Sequence, residues 1–348
     1  MPDTHTDLLE PPATQASGWR RRAAGLAGLL VSGGLLAVLY RSIDARLVGE
    51  ALARSNPSWL IVSVGLILPI TVVRAFRFLW VAPPGALPGA AEALRLTLVS
   101  SALNVFLPAK TGDLVKSYFL ANRGTTSPGV AVAVVAYERF CDMFALIAWC
   151  LVAWAIARPV TPGVPLAFWG LLAVVGLGCL VLVLSERMGA ALCAAVERAL
   201  PSARFRTLHA LASGWPGLLR LLRGRRLGII GFSLGLWLAH LFQIWLFTVA
   251  LSVDVPLAVS MSLTGVALMA GQLPLTVAGV GTRDVALVVL MARYIPPQTA
   301  AALGVLVASR NLLPPLFGVP LMRAYLTTVV ADARRWRQQV GAGRWRVE

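Results

Sequence analysis

Long apolar runs separated by short polar punctuation dominate this chain. Six of them, at about 23–40, 58–80, 128–157, 164–185, 227–251 and 299–328, are long enough for a helix to cross a bilayer. Crossing takes about 20 residues at 1.5 Å rise, for a hydrocarbon core of about 30 Å. Two more runs, 93–122 and 257–295, are interrupted by proline, glycine and charge. In the first, residues 93–107 make only about 22 Å of helix and 112–122 make less. That shortfall predicts a re-entrant hairpin with the turn 108–113 at its tip. In the second, "QLPLTVAGVGTRD" separates 257–273 from 279–295. These longer halves fit either a second re-entrant hairpin or two full spans. The pattern therefore predicts an all-α polytopic membrane protein. About six full transmembrane helices are joined by two re-entrant or broken helical hairpins.

Composition agrees. Of 348 residues, 58% are hydrophobic and 13% charged, against about 25% charged in soluble domains. The net charge of +16 does not point to nucleic acid, because the arginines gather at the ends of apolar runs, where they act as topology signals and lipid contacts. Arg20-Arg21-Arg22, the arginine-rich connection 186–226 and the C-terminal arginines from Arg334 to Arg346 all fall on one side of the expected topology. That side is the cytoplasm by the positive-inside rule. Arginine use over lysine, with abundant alanine and glycine, is that of a GC-rich bacterial genome, so the expected location is the bacterial inner membrane. The expected organisation is a polar, basic tail (1–22), a transmembrane domain (23–330) and a basic tail (331–348). The run at 23–40 reads as a retained signal anchor. The 186–226 connection reads as interfacial helix on the inner surface, or simply as a basic linker. The four cysteines have no metal-site spacing and read as small core residues. No cofactor or metal is expected. Self-association is left open.

The chain also matches itself. Arg77 lies 31 residues before Pro108, and Gln243 lies 31 before Pro274. Leu107-Pro108 matches Leu273-Pro274. Asp113 lies 26 residues before Arg139, and Asp284 lies 26 before Arg310. The offset is 166 up to the Leu-Pro pair and 171 after it, so one five-residue insertion reconciles the copies. Repeat one covers about 58–157 and repeat two about 227–328. The first starts with a span running out to in and the second with one running in to out. Inverted repeats with broken helices at the midplane are a recurring plan of transporters. Irregular backbone at that depth is tolerated where protein buries it or a cavity receives it.

Charges at membrane depth are costly and mark function by default. The candidate substrate-binding set is Arg74, Arg77, Lys110, Asp113, Lys116, Glu138, Arg139, Asp142, His240, Gln243, Arg283, Asp284 and Arg310. Seven cations face four acids. Mutual salt bridges account for Glu138, Arg139 and Asp142, but a surplus of three cations remains. That surplus fits an anionic ligand such as a lipid phosphate, which arginine binds in bidentate fashion. Arg74 and Arg77 also fit a second reading, in which they snorkel to the inner head groups. Arg139 and Arg310 each sit about 16 Å into their helices from opposite sides. They are expected to share one phosphate on equal terms.

The motifs "RAFRFLW", "LNVFLPAKTGDLVKSYFLANR", "VVAYERFCDMFAL" and "LPLTVAGVGTRDVALVVL" resemble the lysylphosphatidylglycerol synthase transmembrane region over about residues 20–330. Asp113 and Asp284 stand where that family usually has glutamate, and Lys110 and Lys116 where arginine is common. The resemblance implies translocation of a lipid between leaflets, with membrane lipids as partners and no enzymatic activity in this chain. Two other classes stay in view. A membrane enzyme acting on a phospholipid or polyprenyl lipid needs a base or metal site, and His240 is the sole intramembrane histidine. A scaffold for a lipid-pathway enzyme needs none of the duplicated charge.

Overall fold

The computed structural model describes residues 43–106, 108–122, 126–158, 164–199, 206–272 and 281–341, together with 33, 34 and 37. The N-terminal tail, most of the expected anchor at 23–40, the Leu273-Pro274 turn and residues 342–348 lie outside the described residues. So does the side chain of Lys110. Among the described residues the chain is all-α, without a strand. In order come α1 (Ala45–Ala53), α2 (Pro57–Gly65), α3 (Ile67–Val81), α4 (Ala90–Phe106), a 3-10 turn (Pro108–Asp113) and α5 (Leu114–Asn122). Then follow α6 (Pro128–Ala157), α7 (Leu166–Leu184), α8 (Glu186–Ala199), α9 (Arg206–Leu221) and α10 (Arg226–Ala250). The chain ends with α11 (Leu257–Ala270), α12 (Thr282–Met291) and α13 (Pro297–Gly341).

Five stretches are long and apolar enough to cross a membrane: Pro57–Val81, Pro128–Ala157, Leu166–Leu184, Arg226–Ala250 and Pro297–Val329. They coincide with five of the six uninterrupted runs. Their outward faces are apolar, with Ile61, Ile156, Val174 and Leu316 all exposed, as suits a hydrocarbon solvent. Local signals set their starts. Asn56 accepts from the amides of Ser58 and Trp59, with Pro57 as the first helical residue. Ser127 caps α6 in the same way, ahead of Pro128. A capping side chain satisfies an amide left over at the helix start, and proline loses nothing there.

The interrupted runs are hairpins of short helices. α4 has 17 residues and α5 has 9. α11 has 14 and α12 has 10. At 1.5 Å per residue none reaches about 30 Å. In the second run the described arms are shorter than the apolar stretch around them, and the residues joining them, 273–280, lie outside the described residues. α4 packs on α13, and α11 packs on α6. Each hairpin thus lies against the last span of the opposite half.

The connection between the halves is more embedded than an interfacial strip. α8 exposes Arg187, Met188 and Leu192. α9, however, buries Trp215, Leu218 and Leu219 against α6. The crossing is close because both helices present glycine. A Cβ on Gly214 would meet the Gly129 carbonyl carbon at 1.9 Å, and one on Gly129 would meet the Ala210 oxygen at 2.8 Å. Gly214→Leu should therefore abolish folded yield, whereas Gly178→Leu, where a Cβ would meet nothing within 4 Å, should leave it intact. Size-exclusion profiles in detergent compare the two.

Candidate functional site

α6 organises the buried charge. Glu138 and Asp142 stand one turn apart on it, with Arg139 between them, and side chains at this spacing share one helix face. Arg77, from α3, donates to the Asp142 carboxylate at 2.5 Å, to Ser233 Oγ at 3.2 Å and to Glu138 at 3.5 Å. Lys116, from α5, reaches the other Glu138 oxygen at 3.2 Å and lies 4.5 Å over the Phe78 ring. Arg77 is 1% exposed and Lys116 is fully enclosed. Arg77 is therefore out of reach of the head groups, and the snorkelling reading fails for it. Asp113 ends the 3-10 turn and accepts from Arg139, from Ser100 and, at 3.1 Å, from Asn104 Nδ2. Arg74 stands 4.0 Å from Asp113, and Arg139 Nη1 3.8 Å from Asp142. From α10, Trp237 Nε1 donates to Asp142 at 2.9 Å.

The second half is built differently. Asp284, in the first turn of α12, accepts from the Gly281 amide at 3.0 Å and from Arg283 Nη2 at 2.6 Å. Gly281 has φ of 100°, a backbone region open to glycine and strained for other residues. Arg283 also donates to the Gly304 carbonyl at 3.3 Å. Gly304 lets the helix approach Asp284 closely, since a Cβ there would lie 2.8 Å from Asp284 Oδ1. Gln243 Nε2 donates to the Ser63 carbonyl at 2.7 Å. Arg310 hydrogen-bonds His240 Nδ1 and has no carboxylate within ion-pair distance among the described residues.

The equal treatment of Arg139 and Arg310 therefore does not hold in the contacts. The cause is one position. Under the offset of 171, Arg283 corresponds to Gly112, where a Cβ would lie 2.6 Å from the Asn104 amide nitrogen. Repeat one has glycine before its acid, so Asp113 is left for Arg139. Repeat two has arginine there, so Asp284 is occupied and Arg310 turns to His240 instead.

Between the halves lies a cavity of about 170 Å³. Of the predicted residues it gathers Arg74, Arg139, Asp142, His240, Gln243, Arg283 and Arg310. Arg77, Asp113, Lys116, Glu138 and Asp284 are not among its lining residues. They stand behind the wall and hold it. Thr71, Ser101, Asn104, Trp237, Gln272 and Asn311 also line it, and the sequence reading missed all six. The available signal was their spacing: Thr71 and Trp237 each lie three residues before a predicted site residue, and Asn311 follows one. Pro314 and Pro315 close one side. Lacking amide protons, they leave the carbonyls of Arg310 and Asn311 without their usual helical donors. Six described cations, Arg74, Arg77, Lys116, Arg139, Arg283 and Arg310, stand against the four acids Asp113, Glu138, Asp142 and Asp284. Among these described side chains, each half carries one positive charge more than its acids.

A family model described as the lysylphosphatidylglycerol synthase TM region matches residues 25–318. The match runs through all the helices that line the cavity. It ties this multi-pass membrane protein to membrane lipids. No curated protein matches the chain.

The buried pairs behind the wall have a testable cost. Removing one partner of a buried pair costs about 3–5 kcal/mol, because the other charge is left uncompensated. Lys116→Met should destabilise the protein by that order in chemical denaturation in micelles, and Lys116→Arg should recover part of the loss.

Proposed function

The chain belongs to the lysylphosphatidylglycerol synthase transmembrane-region family, and we propose that it translocates a phosphate-bearing lipid between the leaflets of the bacterial inner membrane. The observation that carries this reading is the cavity between the two halves. Four guanidinium groups, Arg74, Arg139, Arg283 and Arg310, line it, and Asp142 is the one acid among its described lining residues. Asp142 is already held by Arg77 and Trp237. A chamber with surplus positive charge at membrane depth is unfavourable when empty of anions. A lipid phosphate neutralises it, and guanidinium groups offer forked donors to the phosphate oxygens. The two halves act as inverted repeats, and the cavity opens to alternate leaflets as they move about it.

In this reading Arg310 carries more of the ligand than Arg139, because Arg139 is shared between Asp113 and Asp142. The buried acids, with Lys116 and Arg77, set the shape of the chamber. Lys110 is kept as a ligand contact from the hairpin tip.

The test is movement of a fluorescent phosphatidylglycerol across vesicles holding the purified protein, with a phosphatidylcholine analogue as control. Wild type should accelerate the anionic lipid over empty vesicles. Arg310→Met should reduce that rate at least about tenfold, as expected for loss of a charged hydrogen bond. Arg310→Lys should keep part of it, since a point charge remains but the fork is lost. Movement of both lipids at equal rates, or an unimpaired Arg310→Met, would refute the reading. The proposed orientation is checked separately. Arg220→Cys in a cysteine-free background should react with an impermeant thiol reagent in inside-out vesicles and not in intact cells.

A further inference from the structure

A second recess, of about 390 Å³, lies beside the cavity on the outer side of α3 and α10. Its lining is apolar throughout and includes Ile70 and Val73 from α3, with Phe232, Gly235, Leu236 and Ala239 from α10. Val73 and Gly235 are exposed, so the recess opens sideways, where hydrocarbon surrounds the spans. Ile70 and Leu236 line both the recess and the cavity, and both are buried. A partition of these two side chains therefore divides a positively charged chamber from an apolar slot facing the lipid.

We propose that this recess seats an acyl chain of the lipid whose phosphate occupies the cavity, with Ile70 and Leu236 as the threshold between them. The inference rests on the transport reading above and adds the path of the tail. Head group and chain are one molecule. A head group enclosed by protein requires an apolar route by which its chain stays in hydrocarbon. The recess supplies that route where it abuts the chamber.

Glycine placement supports it independently. A Cβ on Gly235 would meet nothing within 4 Å, and the same holds for Gly231 one turn earlier. Neither glycine has a positive φ. Glycine inside a helix is unfavourable relative to alanine, and here neither close packing nor backbone geometry requires it. The two positions leave a smooth track along α10 that a flexible chain fits. A water-soluble ligand has no use for such a track, and a protein partner needs a far larger contact area.

Gly235 suits the experiment, because a Cβ there meets nothing within 4 Å and a phenyl ring added at that position extends into the recess. Purified full-length protein is placed in vesicles with phosphatidylglycerol bearing a photoreactive group on its acyl chain, and labelled peptides are mapped. Labelling should concentrate on the segments holding Val73 and Phe232. Gly235→Phe should lower both that labelling and the transport of fluorescent phosphatidylglycerol roughly tenfold, as an overfilled site does. Its binding of glycerophosphoglycerol, the same head group without chains, should stay at the wild-type level in calorimetry. Ala239→Phe fills the same recess one turn later and gives a second measurement should Gly235→Phe misfold. Uniform labelling of all lipid-facing helices would overturn the proposal, as would wild-type transport by both fillers. An equal loss of glycerophosphoglycerol binding would do the same, since the cavity itself would then be damaged. Failure of the wild-type protein to move any lipid would remove the transport reading and the seat together. Wild-type transport that survives the fillers would remove the seat alone.

Discussion

A charge carried to the middle of a bilayer must be compensated where it stands. Most of this architecture can be traced to that requirement. Lipid tails are as apolar as leucine, so burial of apolar surface does little to hold one span to another. Polar contacts and close packing take over. Five residues of α6, from Glu138 to Asp142, reach α3 through Arg77, α5 through Lys116, the 3-10 turn through Asp113 and α10 through Trp237. One short stretch thus positions four separate elements. Such pairs contribute little net energy once desolvation is counted. What they supply is registry, because a helix that slides by a turn leaves an ion unpaired.

The same requirement explains how two matching halves come to differ. Both have an acid after a turn and an arginine 26 residues later. In one half the acid meets that arginine. In the other, Arg283 stands next to Asp284 and takes it first. The arginine that stands in place of glycine pairs with the acid and leaves Arg310, at the cavity wall, with His240 as its partner.

Much of this was legible in the sequence, because the bilayer imposes simple lengths. Runs near 58–80, 128–157 and 227–251 are the right size for spans, and the structure has them there. The arms on either side of Gly112 are too short, and they form a hairpin. The pairing of charges was not legible. Asp284 meets Arg283 and not Arg310, and no local pattern encodes which of two arginines reaches an acid across distant segments. The neutral lining of the cavity was missed because Asn104 or Thr71 in a helix is unremarked until its facing neighbours are known. The embedding of α9 was missed for a related reason: an amphipathic stripe has the same pattern whether it lies on lipid or on protein. There the deciding feature is a pair of glycines, Gly129 and Gly214, far apart in the chain.

The prolines at the cavity wall give the two long inner helices different mechanical characters. α6 has no proline beyond its first residue, and its middle is clamped by ionic contacts on several sides. It behaves as a stiff post. α13 has Pro314 and Pro315 directly after Arg310 and Asn311, and Pro320 beyond, so its backbone ladder is interrupted where it borders the chamber. Helices bend at such interruptions. Arg310 therefore sits where its helix bends most readily, and Arg139 sits on the helix that resists bending.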